Sequence, residues 1–365
     1  MKDNAASAAN SGKFADPRRT ADGSERARVA LSRPETLWFN TGTLCNIKCA
    51  NCYIDSSPTN DALVYLSAAE VSDYLAQIVE RGWPVREIGF TGGEPFMNPE
   101  MIDMARLALD AGFEVLILTN AMQPMMRPKV RAGLAALNRD FGARLTLRIS
   151  LDHFDAAEHD RERGTGSFDR TLDGMKWLRD AGLRMAVAGR AQWTGSDSEG
   201  RDGYAELFAR YDFDIDAHDP ATCVLFPEMD ESVEVPEITT ACWGILNKSP
   251  DSVMCASSRM VVKRRGAAAE CISATLRCNT ATPGGKATGS AVSRHFRGAF
   301  APSPPPPGQS SCDARTASVT PLSRRSRKRE AVTGTTRGQT GADQTGTEAS
   351  RGARAPVSRT AAVSA

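Results

Sequence analysis

Three cysteines lie close together in the first third of the chain, as Cys45, Cys49 and Cys52 in the run CNIKCANC. Three thiolates on one loop can converge on a single polynuclear metal centre, and soft sulfur ligands select zinc, copper(I) or iron-sulfur clusters. Structural zinc normally takes four protein ligands, but the nearest histidine along the chain is His153. Three ligands for four irons would leave one iron without a protein ligand. The C-x3-C-x2-C spacing therefore favours a reactive metal site over a structural one.

A second motif, Gly92-Gly93-Glu94-Pro95, directly follows the short apolar run 87–91. Glycines let the backbone approach a ligand closely because they carry no Cβ atom. A carboxylate or a carbonyl in such a turn can accept hydrogen bonds from an amine. The motif therefore predicts a turn that binds an amine-bearing ligand.

Strand and helix patterns alternate around these two motifs. Ser67 and Glu70 form a predicted capping box that begins an amphipathic helix, and the apolar run 113–119 is typical of a strand buried on both faces. Strands are predicted at 36–40, 87–91, 113–119, 145–151, 185–191 and 222–226, with helices between them. Repeated βα units predict a parallel sheet, open or closed into a barrel, with functional residues at the carboxyl ends of its strands.

With both motifs at predicted strand ends, residues 36–226 resemble the radical S-adenosylmethionine (radical SAM) enzymes, whose signature is C-x3-C-x2-C after the first strand. The resemblance implies an α/β fold, a partial (βα)6 TIM-like barrel over residues 35–226, to which the composition adds disordered N- and C-terminal tails. It also implies a 4Fe-4S cluster on Cys45, Cys49 and Cys52. The open iron would take the amino nitrogen and carboxylate oxygen of SAM, and the GGEP turn would hydrogen-bond the same amino group.

The mechanism and further site residues also follow from the resemblance. A one-electron donor such as flavodoxin or ferredoxin would reduce the cluster, and SAM would be cleaved to a 5′-deoxyadenosyl radical. This radical would abstract hydrogen from a peptide or from a small-molecule or cofactor precursor. Polar groups at the later strand ends are expected to contact SAM; these are Asn120, Ser150, Asp152 and Arg190. His153 and His159 are candidate acid or base groups toward substrate, although packed or solvated histidines are commoner at such positions.

One position departs from the family pattern. The residue before the third cysteine is usually aromatic or histidine in this family, and here it is Asn51. The departure weakens the expected contact with the adenine of SAM. We expect Tyr53, next to the third cysteine, to supply an aromatic surface instead.

Residues 227–269 form a predicted C-terminal extension, interpreted as a candidate remnant of an auxiliary-cluster domain. Some relatives carry a SPASM or twitch extension that begins C-x9-15-G-x4-C, and Cys255, Gly266 and Cys271 match that beginning. The later cysteine set of that extension is absent, and Cys278 and Cys312 lie in a tail of different composition. Cys223 and Cys242 are the kind of thiol that is more often buried than ligating.

The whole-chain composition limits the classes of protein that the sequence allows. The chain has 365 residues, 41% of them hydrophobic, with a net charge of +1 and a mean hydropathy of -0.35. No apolar run reaches the ~18 residues that a membrane helix needs. The Arg18-Arg19 pair is followed by no apolar stretch, so we expect no export signal and a cytoplasmic protein. In that compartment, cysteines are expected to serve metal or redox chemistry before disulfides.

Both ends of the chain are predicted to be disordered, over 1–34 and 270–365. Residues 266–365 carry 14 Lys and Arg against 5 Asp and Glu and are rich in Gly, Ala, Ser, Thr and Pro. Such a composition cannot bury enough apolar area to offset chain entropy. The tail is interpreted as unstructured or as the product of a reading-frame shift in a GC-rich gene. A basic arm for nucleic acid, centred on Arg324–Arg329, is the disfavoured alternative. We therefore expect neither a nucleic-acid nor a membrane partner.

Two other hypotheses stay open beside a radical SAM enzyme. The chain could be a non-catalytic iron-sulfur or zinc-binding module. It could also be a truncated, inactive relic whose altered C-terminus has removed substrate binding or a further cluster. Metal and sulfide analysis separates the first of these from an enzyme, and SAM cleavage without turnover of a substrate identifies the second.

Overall fold

The computed structural model describes residues 12–191, 197–226 and 236–273. The strands are β1 Thr36–Asn40, β2 Glu87–Thr91, β3 Glu114–Thr119, β4 Leu145–Ser150, β5 Arg184–Arg190, β6 Cys223–Phe226, β7 Ser258–Val262 and β8 Glu270–Ser273. The helices are α1 Ala68–Glu80, α2 Met101–Asp110, α3 Gln123–Met126, α4 Pro128–Phe141, α5 Ala156–Arg163, α6 Ser167–Asp180, α7 Asp197–Arg210 and α8 Cys242–Ile245. The predicted basic tail, with Arg324–Arg329, Cys278 and Cys312, lies outside the described residues.

The strands form one sheet in the order β6-β5-β4-β3-β2-β1-β7-β8. Strands β1 to β6 pair with their sequence neighbours in parallel, and helices lie between them along the chain. The prediction of an α/β fold with a parallel sheet is therefore confirmed. Because all six strands run the same way, their carboxyl ends meet at one edge, where the two motifs also lie.

The sheet has two more strands than the six that the sequence predicts for the core. Strand β7 pairs in parallel with β1, with Thr36 opposite Ser258, and β8 pairs with β7 in an antiparallel hairpin. Met260, Val261 and Val262 are buried, which explains why this run joins the sheet. The extension thus contributes β7 to the same sheet as the predicted core, and β8 lies at the start of the segment 270–365 that was expected to be disordered.

The core fills both faces of the sheet. Phe39 on β1 and Phe90 on β2 are fully buried, and their rings stack with centroids 5.7 Å apart. Helix α1 begins with the predicted capping box, because the Ser67 side chain accepts from the Glu70 amide and the Glu70 side chain accepts from the Ser67 amide. Each fully buried large apolar side chain contributes about 1.5–3 kcal/mol. The two chemical motifs are therefore anchored to a well-packed sheet.

Residues 12–34 differ from the expectation of a disordered segment. The Ala27 amide donates to the Ile238 carbonyl at 2.8 Å, and the Thr240 amide donates to the Glu25 carbonyl at 3.0 Å. Arg26 and Glu237 form an ion pair whose two side chains are each only 8% exposed. Local composition did not predict this order because its partners lie more than two hundred residues away along the chain.

Among the described residues, no helix has both the length and the apolar character that crossing a bilayer requires.

Candidate active site

The loop after β1 carries Cys45, Cys49 and Cys52, and all three line one cavity. The Cys45 amide donates to the Ser57 carbonyl at 3.1 Å, which closes the loop on itself. The Ser56 amide donates to Cys52 Sγ at 3.3 Å. The three thiols that the sequence singled out thus line one cavity, and hydrogen bonds join Cys45 and Cys52 to the 56–57 end of the loop.

The environment of the cysteines affects how they bind a metal. Burial raises the pKa of the Cys45 thiol to about 12. Burial also raises the pKa of the Cys49 thiol, although the nearby Arg163 guanidinium opposes that rise. Because the thiolate is the metal ligand, binding a metal must displace protons from these sulfurs.

The Gly-Gly turn after β2 lies directly against the start of the cysteine loop. The Gly93 amide donates to the Gly42 carbonyl at 2.8 Å, and the Glu94 amide donates to the Leu44 carbonyl at 3.1 Å. A Cβ atom on Gly93 would lie 2.2 Å from the Leu44 carbonyl oxygen. Gly92 has a φ of +148°, and a Cβ atom there would lie 2.6 Å from the Gly42 oxygen. Both glycines line the cavity, so the turn needs glycine because the cysteine loop is so close.

Glu94 is held inside the protein by neighbouring donors. Its carboxylate accepts hydrogen bonds from the Phe96 amide at 3.1 Å, the Thr119 hydroxyl at 2.9 Å and the Asn120 amide at 2.9 Å. Burial raises the pKa of Glu94 to about 7, although these hydrogen bonds oppose the rise. Neither Glu94 nor Pro95 is among the described residues that line the cavity. In this structure Glu94 joins the turn to the end of β3, instead of presenting its carboxylate to the cavity as the sequence predicted.

Four of the remaining predicted residues line the cavity, namely Tyr53, Asn120, Ser150 and Arg190. Tyr53 is 55% exposed, and its hydroxyl lies 3.4 Å from the Thr91 hydroxyl. Asn120 Nδ2 donates to Asn46 Oδ1 at 2.9 Å, which links the end of β3 to the cysteine loop. The ends of four strands therefore converge with the loop on one cavity, as a parallel sheet requires.

Asp152, also predicted to bind the cofactor, does not line the cavity but supports a residue that does. Its carboxylate accepts from Arg163 Nε at 2.7 Å and from Arg163 Nη2 at 3.0 Å, and Arg190 Nε lies 3.6 Å away. Burial pushes the pKa of Asp152 upward, but the two guanidiniums outweigh burial and the pKa is lowered. Asp152 therefore stays ionised and fixes the Arg163 guanidinium at the cavity wall.

Sequence patterns missed Arg163 because they missed α5, which carries it. This helix has charged residues on most of its positions and buries only His159 and Glu162, so it has no apolar stripe. A capping signal was present, since the Asp155 side chain accepts from the Ala157 and Glu158 amides. Asp155 followed by a run of good helix formers could therefore have identified α5.

The cavity is chemically suited to a cluster together with a small polar ligand. The cavity opens to solvent, so a ligand can enter it. Its wall carries three thiols and two guanidiniums. In the described part of the chain, no three Cys, His, Asp or Glu side chains converge closely enough for a single metal ion. A cluster does not need that convergence, because each cysteine binds a different iron.

His159 is a packed core residue below the cavity. It is fully buried, its Nδ1 accepts from the Asp152 amide at 3.2 Å, and Nε2 has no hydrogen-bond partner among the described residues. Burial, helped by the Arg163 guanidinium, lowers the pKa of His159 to about 4. His159 does not line the cavity, so its position does not fit the candidate acid-base role.

Acidification should destabilise the protein through His159. An unfolded histidine has a pKa of about 6.5, so the unfolded chain takes up a proton before the folded one does. Stability from the neutral imidazole is complete above pH 6.5 and is lost as pH falls toward 4. In urea unfolding, we expect the free energy of unfolding of the wild type to fall by about 2 kcal/mol between pH 7 and pH 5 through this residue. His159→Gln should not show this fall. His218→Gln, at an exposed histidine, should keep the wild-type pH dependence; equal losses in His159→Gln and wild type would contradict the assignment.

The other described cysteines lie away from the cavity. Cys255 is buried just before β7, and Cys271 on β8 is opposite Val261. Burial raises the pKa of the Cys271 thiol to about 12. Cys223 is buried, as expected, whereas Cys242 is only half-buried. The auxiliary cluster that Cys255, Gly266 and Cys271 would begin stays a prediction.

Fold and site together define a class of protein: an α/β domain with a three-cysteine loop and a Gly-Gly turn at the carboxyl ends of a parallel sheet. Residues 39–189 match the family model of the radical SAM superfamily. This stretch of the chain therefore carries a radical SAM domain.

Curated relatives support the same family. A stretch of 146 residues is 32% identical to the AdoMet-dependent heme synthase of Methanosarcina barkeri, covering 39% of this chain and 38% of that protein. The subtilosin biosynthesis protein AlbA of Bacillus subtilis is 32% identical over 145 residues, 40% of this chain and 30% of AlbA. The mycofactocin maturase MftC of Mycolicibacterium smegmatis is 29% identical over 187 residues, 51% of this chain and 45% of MftC. The matched part spans less than half the length of each relative.

Among solved structures, Streptococcus suis SuiB bound to S-adenosylmethionine superposes with a TM-score of 0.50 and 14% sequence identity. The match covers 69% of this chain and 63% of SuiB. At this identity the likeness is one of fold.

Proposed function

We propose that this protein holds a 4Fe-4S cluster on Cys45, Cys49 and Cys52 and cleaves SAM reductively to start hydrogen abstraction from a substrate. The observation that carries the proposal is that these three cysteines and Gly92-Gly93, from different strand ends, line one cavity. The radical SAM domain supports SAM-dependent radical chemistry in general. When bound, the cluster supplies one electron and SAM supplies the 5′-deoxyadenosyl group that abstracts hydrogen.

The protein's own residues bind and orient these groups. The three thiolates hold the cluster and leave one corner of it without a protein ligand. The Gly92-Gly93 turn offers backbone groups to the amino group of SAM, because no side chain stands between the turn and the cavity. Ile54 and Leu118 add apolar surface to the wall, which helps to exclude water from a reactive radical. Tyr53, Asn120, Ser150 and Arg190 complete the proposed SAM site.

The substrate class is a peptide or a small-molecule or cofactor precursor. Support comes from the relatives' names, which refer to heme synthesis, bacteriocin biosynthesis and mycofactocin maturation. A flavodoxin or ferredoxin is the proposed electron donor. The proposal places the protein in the cytoplasm, where thiols such as the seven free described cysteines stay reduced.

Anaerobic reconstitution with iron and sulfide tests the proposal. We expect a brown protein with about four irons and four sulfides that forms 5′-deoxyadenosine from SAM when dithionite is added. Zinc without sulfide would instead identify a zinc-binding module and overturn the proposal. A cluster without 5′-deoxyadenosine would leave only a non-catalytic iron-sulfur protein.

A further inference from the structure

Asn51, which departs from the family pattern, takes part in a closed set of polar contacts. Its Nδ2 donates to both oxygens of the Glu162 carboxylate, at 2.9 Å and 3.2 Å. The Asn51 backbone carbonyl accepts from Arg190 Nη2 at 2.7 Å, and Arg190 Nη1 lies 3.8 Å from the Glu162 carboxylate. The cysteine loop, α5 and the end of β5 therefore meet at one point.

Glu162 makes a second contact with the same stretch of loop. The Ala50 amide donates to the Glu162 backbone carbonyl at 2.8 Å. Two consecutive loop residues are thus attached to one residue of α5, and both stand between Cys49 and Cys52. Glu162 is only 4% exposed, whereas Ala50 and Asn51 are exposed, so these hydrogen bonds are partly buried and a missing partner is costly on the Glu162 side.

We propose that Glu162 is a positioning residue that, with Asn51, attaches the turn between Cys49 and Cys52 to α5 and so retains the cluster. The inference rests on the proposed function. A turn between two cluster ligands can open by backbone rotation, and the hydrogen bonds to Glu162 restrict that rotation. Outer partners of metal ligands typically change metal affinity by about 10–100-fold. Asn51 thus serves the metal site through its contact with Glu162.

An exchange of the two side chains tests the pairing. Asn51→Asp places two carboxylates together, with Arg190 Nη1 3.8 Å from one of them. Glu162→Gln leaves two amides that can still share one hydrogen bond. The double variant Asn51→Asp/Glu162→Gln restores an amide donor opposite a carboxylate. We expect iron to leave the reconstituted Asn51→Asp protein for a chelator about 10-fold or more faster than wild type. Glu162→Gln should show a smaller increase, and the double variant should return toward the wild-type rate.

Glu158→Gln is the matched control, since it makes the same change one turn earlier in α5, where Glu158 pairs with Arg161. Iron release from this variant should equal that of wild type, and circular dichroism and the unfolding midpoint should confirm that each variant folds. The inference would be overturned if Asn51→Asp released iron at the wild-type rate, or if the double variant released iron as fast as Asn51→Asp. A double variant that cannot hold a cluster would overturn it as well. Failure of wild type to take up iron and sulfide would instead refute the proposed function.

Discussion

Cys49→Ala is expected to abolish both the cluster and the reductive cleavage of SAM. Cys49 is one of three thiols on the cavity wall, and α5 with its loop contacts holds the neighbouring turn in place. Changes in outer partners of metal ligands alone cost about 10–100-fold in metal affinity, so loss of a ligand should cost more. Iron and sulfide content after anaerobic reconstitution, with 5′-deoxyadenosine measured by chromatography, gives the result.

Cys242→Ala provides the control for that experiment. Cys242 is also a free cysteine, half-buried at the start of α8, and does not line the cavity. This variant should keep wild-type iron, sulfide and 5′-deoxyadenosine formation. If Cys49→Ala retained 5′-deoxyadenosine production, the three-cysteine cluster site would be wrong.

Gly93→Ala is expected to weaken SAM binding by about 10–100-fold and to destabilise the fold. The added Cβ atom would lie 2.2 Å from the Leu44 carbonyl oxygen and 2.8 Å from the Thr43 carbonyl oxygen, and both are backbone atoms that cannot rotate away. Overpacking of this kind costs about 1–3 kcal/mol. The turn should therefore move away from the cysteine loop and alter the place where the amino group of SAM would bind.

Equilibrium dialysis of SAM with the cluster-loaded protein, together with urea unfolding, measures both effects of Gly93→Ala. Gly244→Ala is the matched control, since a Cβ atom there meets nothing within 4 Å. The control should keep wild-type SAM affinity and unfolding midpoint. Unchanged SAM affinity in Gly93→Ala would show that the turn does not contribute to the SAM site.

Several features of the site could be predicted from the sequence because they depend on neighbours along the chain. The cysteine spacing places three thiols on one loop, and the Gly-Gly pair follows an apolar strand. Parallel βα repeats then bring strand ends to one edge, whatever the details of packing. Asn120, Ser150 and Arg190 were predicted by the same reasoning, and all three line the cavity.

Other features depended on the direction of side chains, which strand-end position alone does not determine. Glu94 and Asp152 were predicted at the cofactor site, but each carboxylate is occupied by protein donors. A buried carboxylate takes whichever donors lie closest, because leaving it without partners in a dry interior is costly. Those donors come from β3 and from α5, at distances along the chain that no local pattern reports.

The amino-acid sequence by itself determined the type of chemistry, the alternation of strands and helices, and the loop and turn that carry the two motifs. Tertiary structure alone decided that β7 lies beside β1 and that residues 12–34 pair with 237–240. It also decided that α5 places Arg163 at the cavity and Glu162 against the cysteine loop. The physical reason is that motifs and periodicity arise from bonds and contacts between near neighbours. Strand partners, buried ion pairs and anchoring hydrogen bonds form between residues that meet only when the chain folds.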